Sequence, residues 1–201
     1  MKRLHRKDLF AWSVFSEKLN IDFNGFLWTR PEGNVIFDPL PLTPHDEQHL
    51  ASLGGAAWIV LTNSAHLRGA AEIAKKFGCK IAGPAAEKST FPIACDRWLA
   101  QGEALVPGLR TVELEGSKTP GELAFVLEET TLICGDLIRS HRAGSLMLLL
   151  AEQGLKDRER AAASVIQLAK EPALQAVLVG DGFCVFRDAR PVLDELVATL
   201  S

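Results

Sequence analysis

Ala57-Trp58-Ile59-Val60-Leu61-Thr62-Asn63-Ser64-Ala65-His66-Leu67-Arg68 carries an apolar run into a polar loop and then into a helix. Ala57 to Leu61 has the pattern of a buried strand. Asn63 or Ser64 can cap a helix running to about Phe77, with Gly78 as its left-handed terminator. The apolar residues of that helix, Leu67, Ala70, Ala71, Ala74 and Phe77, recur at spacings of three and four, so one face packs on a sheet. Arg68, Glu72, Lys75 and Lys76 point elsewhere. Lys80-Ile81-Ala82-Gly83-Pro84 is the next strand and completes a strand-helix-strand unit.

Towards the N-terminus, Trp12 to Phe15, Ile21 to Thr29 and Asn34 to Phe37 read as strands, the last two joined by the turn Pro31-Glu32-Gly33, which suggests an antiparallel meander. Pro44 opens a helix from His45 to Leu53, stopped by Gly54-Gly55. Beyond the central unit, strands are expected at Thr111 to Leu114, Leu123 to Leu127, Thr131 to Cys134 and Ala176 to Val179. Helices are expected at Asp157 to Lys170, on the stripe Ala161, Val165, Leu168 and Ala169, and at Arg190 to Leu200 with Pro191 in the first turn. The pattern contains no repeat and no linker, so a single domain over 1–201 is expected.

The chain has 201 residues, 47% of them hydrophobic, enough to bury a substantial core. A formal charge of −3 and a pI near 6.0 leave no basic footprint for nucleic acid. The longest apolar run, Ser145 to Ala151, falls far short of the roughly 20 residues that span a bilayer. Met1 to Lys7 is basic, but Ser13, Ser16, Glu17 and Lys18 break the stretch behind it, so it is no signal peptide and a cytoplasmic location is expected. Cys79, Cys95, Cys134 and Cys184 lie singly, without C-x-x-C spacing, and read as reduced core thiols. Serine-hydrolase, dinucleotide and Walker motifs do not occur.

Three later segments belong with the loop at Thr62 to Arg68: Gly116-Ser117-Lys118-Thr119-Pro120-Gly121-Glu122, Cys134-Gly135-Asp136 and Val179-Gly180-Asp181-Gly182. In order and spacing they resemble the metallo-β-lactamase superfamily. Asn24-Gly25-Phe26-Leu27-Trp28 followed by Val35-Ile36-Phe37-Asp38-Pro39 looks like the opening hairpin and I-D-P turn of that family. The resemblance covers about residues 13 to 201 and implies an α+β fold, a four-layer αββα sandwich with two facing sheets and helices outside.

It also implies a ligand set, and here the sequence departs from the pattern. The family's first loop, T-H-x-H-x-D-H, holds a dinuclear zinc or iron centre; this chain has Asn63, Ala65, Leu67 and Arg68 at the four ligand positions. Lys118 stands where G-H-T-P-G has histidine, Asp136 matches the bridging aspartate, and Asp181 takes the place of the last histidine. A dinuclear centre is not expected. Asp136 and Asp181 would support at most one weakly held divalent ion, with His66 or Asn63 assisting, and oxygen ligation favours manganese or magnesium over zinc.

The candidate catalytic residues are therefore Asp136, Asp181 and His66, and the candidate pocket residues are Asn63, Arg68, Lys118 and His141. Each also has a plain structural reading. Asp136 and Asp181 can be turn residues beside glycine, Arg68 and Lys118 solvated surface charges, and His141 part of a solvated loop at Arg139 to Ser145. His66 reads more simply as a surface histidine at a helix N-terminus. His45 and His49, spaced i,i+4 without a third ligand, are structural. The family implies a metal-dependent hydrolase of an ester, amide or thioester. The alternative is a metal-free, non-catalytic protein that binds a small molecule, in which Arg68 and Lys118 replace the metal charge and pair with Asp136 and Asp181. A third reading is an interaction role with the pocket collapsed.

Overall fold

The computed structural model describes residues 1–200. Seven strands form the first sheet, in the order of the chain: β1 (Lys2–Arg3), β2 (Leu9–Ser16), β3 (Ile21–Trp28), β4 (Val35–Phe37), β5 (Trp58–Val60), β6 (Lys80–Pro84) and β7 (Arg97–Leu99). The first four run antiparallel as a meander; β4 to β7 are parallel. The switch is made by α1 (Pro44–Ser52), between β4 and β5, and α2 (Ala70–Phe77), between β5 and β6. The second sheet has four strands, β8 (Leu109–Glu113), β9 (Leu123–Leu127), β10 (Thr131–Cys134) and β13 (Ala176–Val179), in the order β13-β10-β9-β8. Between β10 and β13 lie a small hairpin, β11 (Ile138–Arg139) with β12 (Met147–Leu148), and the helix α3 (Arg158–Leu168). The helix α4 (Ala189–Ala198) follows β13.

Side chains alternate between the two faces of a strand, and this period builds the layers. Phe26 and Trp28 of β3 and Phe125 and Leu127 of β9 point between the sheets, where Val35, Phe37, Val60, Leu123, Ile133 and Leu178 join them. Phe37 and Phe125 meet across that interface with ring centroids 5.7 Å apart. Leu27, Ile36, Ile59 and Leu61 point the other way, onto Leu50 of α1 and Ala70 and Ile73 of α2. On the far side, Val126, Leu132 and Val177 face Ala161, Val165 and Leu168 of α3 and Leu193 and Leu196 of α4. The result is helices, sheet, sheet, helices, the αββα sandwich expected from the sequence. Among the described residues no helix is long and apolar enough to cross a membrane, and all four cysteines are free.

Local signals operate as their chemistry requires. Thr43 caps α1, its hydroxyl accepting the Asp46 N–H at 3.1 Å with Pro44 in the first turn. Gly78 ends α2 in the left-handed region at φ 71°. The helix expected from Asn63 or Ser64 to Phe77 is instead broken. Ser64–His66 form one 3-10 turn, Arg68 adopts φ +36°, and α2 starts only at Ala70. The cause is the turn after β4. Gly69 N–H donates to Pro39 O at 2.8 Å, and a Cβ on Gly69 would lie 2.9 Å from the Leu40 carbonyl, so the chain is pulled flat against residues 39–41. Two segments without strand signals also hold strands: 84–108 contains β7, and 139–153 contains β12.

Candidate functional site

One edge of the sandwich collects four loops: 62–69 after β5, 114–122 from β8 to β9, 135–137 after β10 and 180–182 after β13. β10 and β13 are parallel and β9 is antiparallel to β10, so Asp136, Asp181 and the start of β9 emerge together. The turn after β4 supplies the anchor. Asp38, at φ +44°, accepts the Thr62 N–H at 2.8 Å and the Thr62 hydroxyl at 2.6 Å. Its second oxygen also accepts the His66 Nδ1–H at 2.7 Å. Glycine lets the loops close in: a Cβ on Gly180 would sit 2.8 Å from His66 Cε1, and one on Gly135 2.5 Å from Thr62 Oγ1.

His66 is buried, which overturns its reading as a surface histidine at a helix N-terminus. With the helix broken at Arg68, its ring turns inward on Asp38, and Nε2 faces Asp136 Oδ2 at 3.5 Å and Asp181 Oδ1 at 4.0 Å. Burial opposes a charge there, but the Asp38 carboxylate and the hydrogen bond to Asp136 outweigh both burial and the Arg68 guanidinium. The His66 pKa is raised to about 10; Nδ1 faces Asp38, while Nε2 lies near both an acceptor, Asp136, and a donor, Arg68.

The other candidates converge on the same point. Asn63 caps the 3-10 turn through Oδ1, accepting the Ala65 N–H at 2.8 Å, and its Nδ2 donates to Asp136 Oδ2 at 3.2 Å. Arg68 Nη2 donates to Asp181 Oδ1 at 3.1 Å and lies 3.2 Å from His66 Nε2. Arg68 Nη1 donates to Asn24 O at 3.0 Å, and the guanidinium stacks 5.0 Å over the Phe23 ring. Lys118 Nζ is 3.5 Å from Asp136 Oδ1 with its side chain 41% exposed. His141 is exposed and lines the rim. Burial pushes the Asp136 carboxyl upward, but His66, Lys118 and Arg139 together hold it well below the usual range.

Four further residues complete the arrangement. Asp38 was visible in the sequence only as part of a turn. Arg139, flagged only as the start of a basic loop, hydrogen-bonds Asp181 Oδ2 through Nη2. Asn24 brackets the Asp181 loop, its Nδ2 donating to Val179 O at 2.9 Å and Gly182 O at 2.8 Å. Glu122 is buried behind Asp136, accepting from the Ser117 hydroxyl and from the Leu137 N–H at 2.9 Å. Burial, with the Asp136 charge beside it, raises its pKa to about 8. A pocket of about 460 Å³ opens over the site, lined by His66, Arg68, Lys118, Asp136, Arg139 and Asp181 together with apolar residues from β3 and the turn after β4. His45 and His49 take no part. His49 packs edge-on against Phe10 at 5.7 Å.

The donor set can be tested against a metal. One ligand atom each from His66, Asp136 and Asp181 lie within 4.8 Å of one another. His66 Nδ1 is taken by Asp38, the kind of partner that also orients a metal-bound imidazole, and Nε2 faces Asp136 and Asp181. Both Asp181 oxygens already accept from guanidinium groups, and Arg68 Nη2 flanks the gap, 3.2 Å from His66 Nε2 and 3.1 Å from Asp181 Oδ1. The arrangement does not fit the dinuclear centre that T-H-x-H-x-D-H would hold. The three-atom group of His66, Asp136 and Asp181 is compatible with one weakly bound ion, which would have the Arg68 guanidinium beside it.

A family model described as the metallo-beta-lactamase superfamily matches residues 1–200. A hydroxyacylglutathione hydrolase of Acidiphilium cryptum (strain JF-5) is 27% identical over 129 residues, 61% of this chain and 53% of that protein. The match thus spans about half the length of the relative. Among solved structures, a metallo-beta-lactamase from Pontibacter korlensis superimposes with a TM-score of 0.75 at 15% identity, covering 97% of this chain and 95% of the other. The mono-zinc form of the metallo-beta-lactamase FIM-1 from Pseudomonas aeruginosa gives 0.72 at 15% identity, over 95% and 90%. At those identities the likeness is one of fold.

Proposed function

The chain belongs to the metallo-β-lactamase superfamily, and from that premise we propose that its pocket binds a small molecule without a metal centre, protein cations standing where the metal charge would be. One observation carries this reading. The Arg68 guanidinium lies 3.1 Å from Asp181 and 3.2 Å from His66 Nε2, a cation beside the atoms that would share an ion. His66, Arg68 and Arg139 balance Asp38, Asp136 and Asp181, and burial of so many charges is tolerable when each is paired and hydrogen-bonded. The Asp181 oxygens are taken by Arg68 and Arg139, and those of Asp136 by Asn63 and Lys118, so neither carboxylate is free as a general base, which supports binding rather than turnover. Elemental analysis of purified, untagged protein tests it. Less than about 0.1 divalent ion per chain, with a melting temperature indifferent to chelator, is the expected result; near two zinc ions per chain would overturn it.

A second reading is metal-dependent hydrolysis of an ester, amide or thioester. It is favoured by the His66, Asp136 and Asp181 group and by the similarity to a hydroxyacylglutathione hydrolase. One divalent ion per chain, lost together with hydrolytic activity on chelation and restored with it, would select that reading.

A further inference from the structure

Lys118 is the most loosely held cation of this site, paired with Asp136 only at 3.5 Å. Its side chain is 41% exposed and its nearest carboxylate oxygen is 3.5 Å away, whereas Arg68 and Arg139 are 12% and 8% exposed against Asp181. Lys118 also lines a neighbouring cleft of about 400 Å³ together with Lys156 and Arg160. Arg160 is paired with Glu115 at 2.9 Å; Lys156 enters no ion pair among the described residues. The pocket wall away from these charges is apolar, made of Leu19, Ile21, Phe23, Leu40 and Pro41, and Leu19 is left 53% exposed.

We infer, on the metal-free reading above, that the pocket takes a small amphipathic anion, its apolar body on Ile21, Phe23 and Leu40 and its anionic group on Lys118, with Lys156 adding to the field from the adjoining cleft. Arg68 and Arg139 are taken up by Asp181, so the half-exposed Lys118 is the charge a ligand meets, and it repels a cationic one. A neutral apolar ligand would cover Lys118 without giving it a partner, which costs desolvation. Glu152, on the exposed rim, partly offsets the attraction of Lys118 for an anion, and both charges are weakened by water.

Octanoate, octan-1-ol and octylamine share a tail and differ in charge, so titration calorimetry of the full chain with each isolates the head group. The metal content is measured on the same preparation. Octanoate is expected to bind at least about tenfold more tightly than octan-1-ol, with octylamine weakest. Lys118→Met should erase the preference of octanoate over octan-1-ol. Lys156→Met, a change at an exposed residue apart from the buried charges, should leave folding intact and weaken octanoate roughly two- to fivefold. Equal binding of octanoate and octan-1-ol by metal-free protein, no binding of any probe, or an unchanged preference in both variants would overturn this inference alone. One tightly held ion per chain would overturn the reading beneath it.

Discussion

Replacing Arg68 with methionine keeps the aliphatic stem and removes the guanidinium. Asp181 then loses its 3.1 Å partner, Asn24 O its 3.0 Å donor, and Phe23 the cation stacked on its ring. Arg68 is 12% exposed and Asp181 3%, so the uncompensated charge cannot recover its loss from water. Breaking a buried pair by removing one partner costs about 3–5 kcal/mol. Arg139 still holds the other Asp181 oxygen, which places the expected cost at the low end, about 3 kcal/mol. For a chain of this length that is a fall of roughly 6–12 °C in melting temperature. Lys118→Met provides the scale. Its ammonium is 41% exposed and 3.5 Å from Asp136, the regime of surface pairs worth about 1 kcal/mol or less, so its melting temperature should drop by under about 4 °C. Arg68→Lys keeps the charge but not the planar fork and should fall between Arg68→Met and wild type. Differential scanning calorimetry at neutral pH makes the comparison. If Arg68→Met melts within about 2 °C of wild type, or no lower than Lys118→Met, then Arg68 does not neutralise a buried carboxylate and the charge-substitution argument fails.

Arg68→Ala should open the space between His66, Asp136 and Asp181, so that millimolar manganese raises the melting temperature of the variant but not of wild type; equal responses would count against Arg68 as the occupant. His66 has a folded pKa near 10 against an ordinary 6.5, so the stability it contributes is complete below about pH 6.5 and is lost as pH rises through 10. Glu122, raised from 4.5 to about 8, acts in the same direction between those values. A melting curve series from pH 5 to 10 should therefore decline across the whole range, and Glu122→Gln should flatten its lower half; a maximum at pH 9 would contradict both assignments. Gly180→Ala places a methyl 2.8 Å from a His66 ring that Asp38 holds in place, at a cost of about 1–3 kcal/mol, measurable as a lowered denaturation midpoint with an unchanged m-value.

The pattern of apolar residues carried the layers, because alternation in Phe26 to Trp28 and in Phe125 to Leu127 already separates the face between the sheets from the face under the helices. Capping chemistry carried the ends of α1 and the close of α2, since Thr43, Pro44 and Gly78 act on neighbours within four residues. The start of α2 departs from the local pattern for the opposite reason. Nothing local forbids a helix through Leu67 and Arg68; what stops it is Pro39, thirty residues away in the chain, taking the Gly69 N–H.

By itself, then, the sequence determined the elements, their order and the loops at one edge of the sandwich, together with the loss of histidines from the expected ligand positions. It did so because those features depend on side-chain type and short spacing. Only the tertiary structure decided that His66 turns inward, that Asp38 orients its ring through Nδ1, and that Arg139 joins Arg68 on Asp181. Those outcomes rest on contacts between residues 28, 42 and 113 positions apart. The charge of a buried histidine follows from how many carboxylates surround it, and that number exists only once the loops have met.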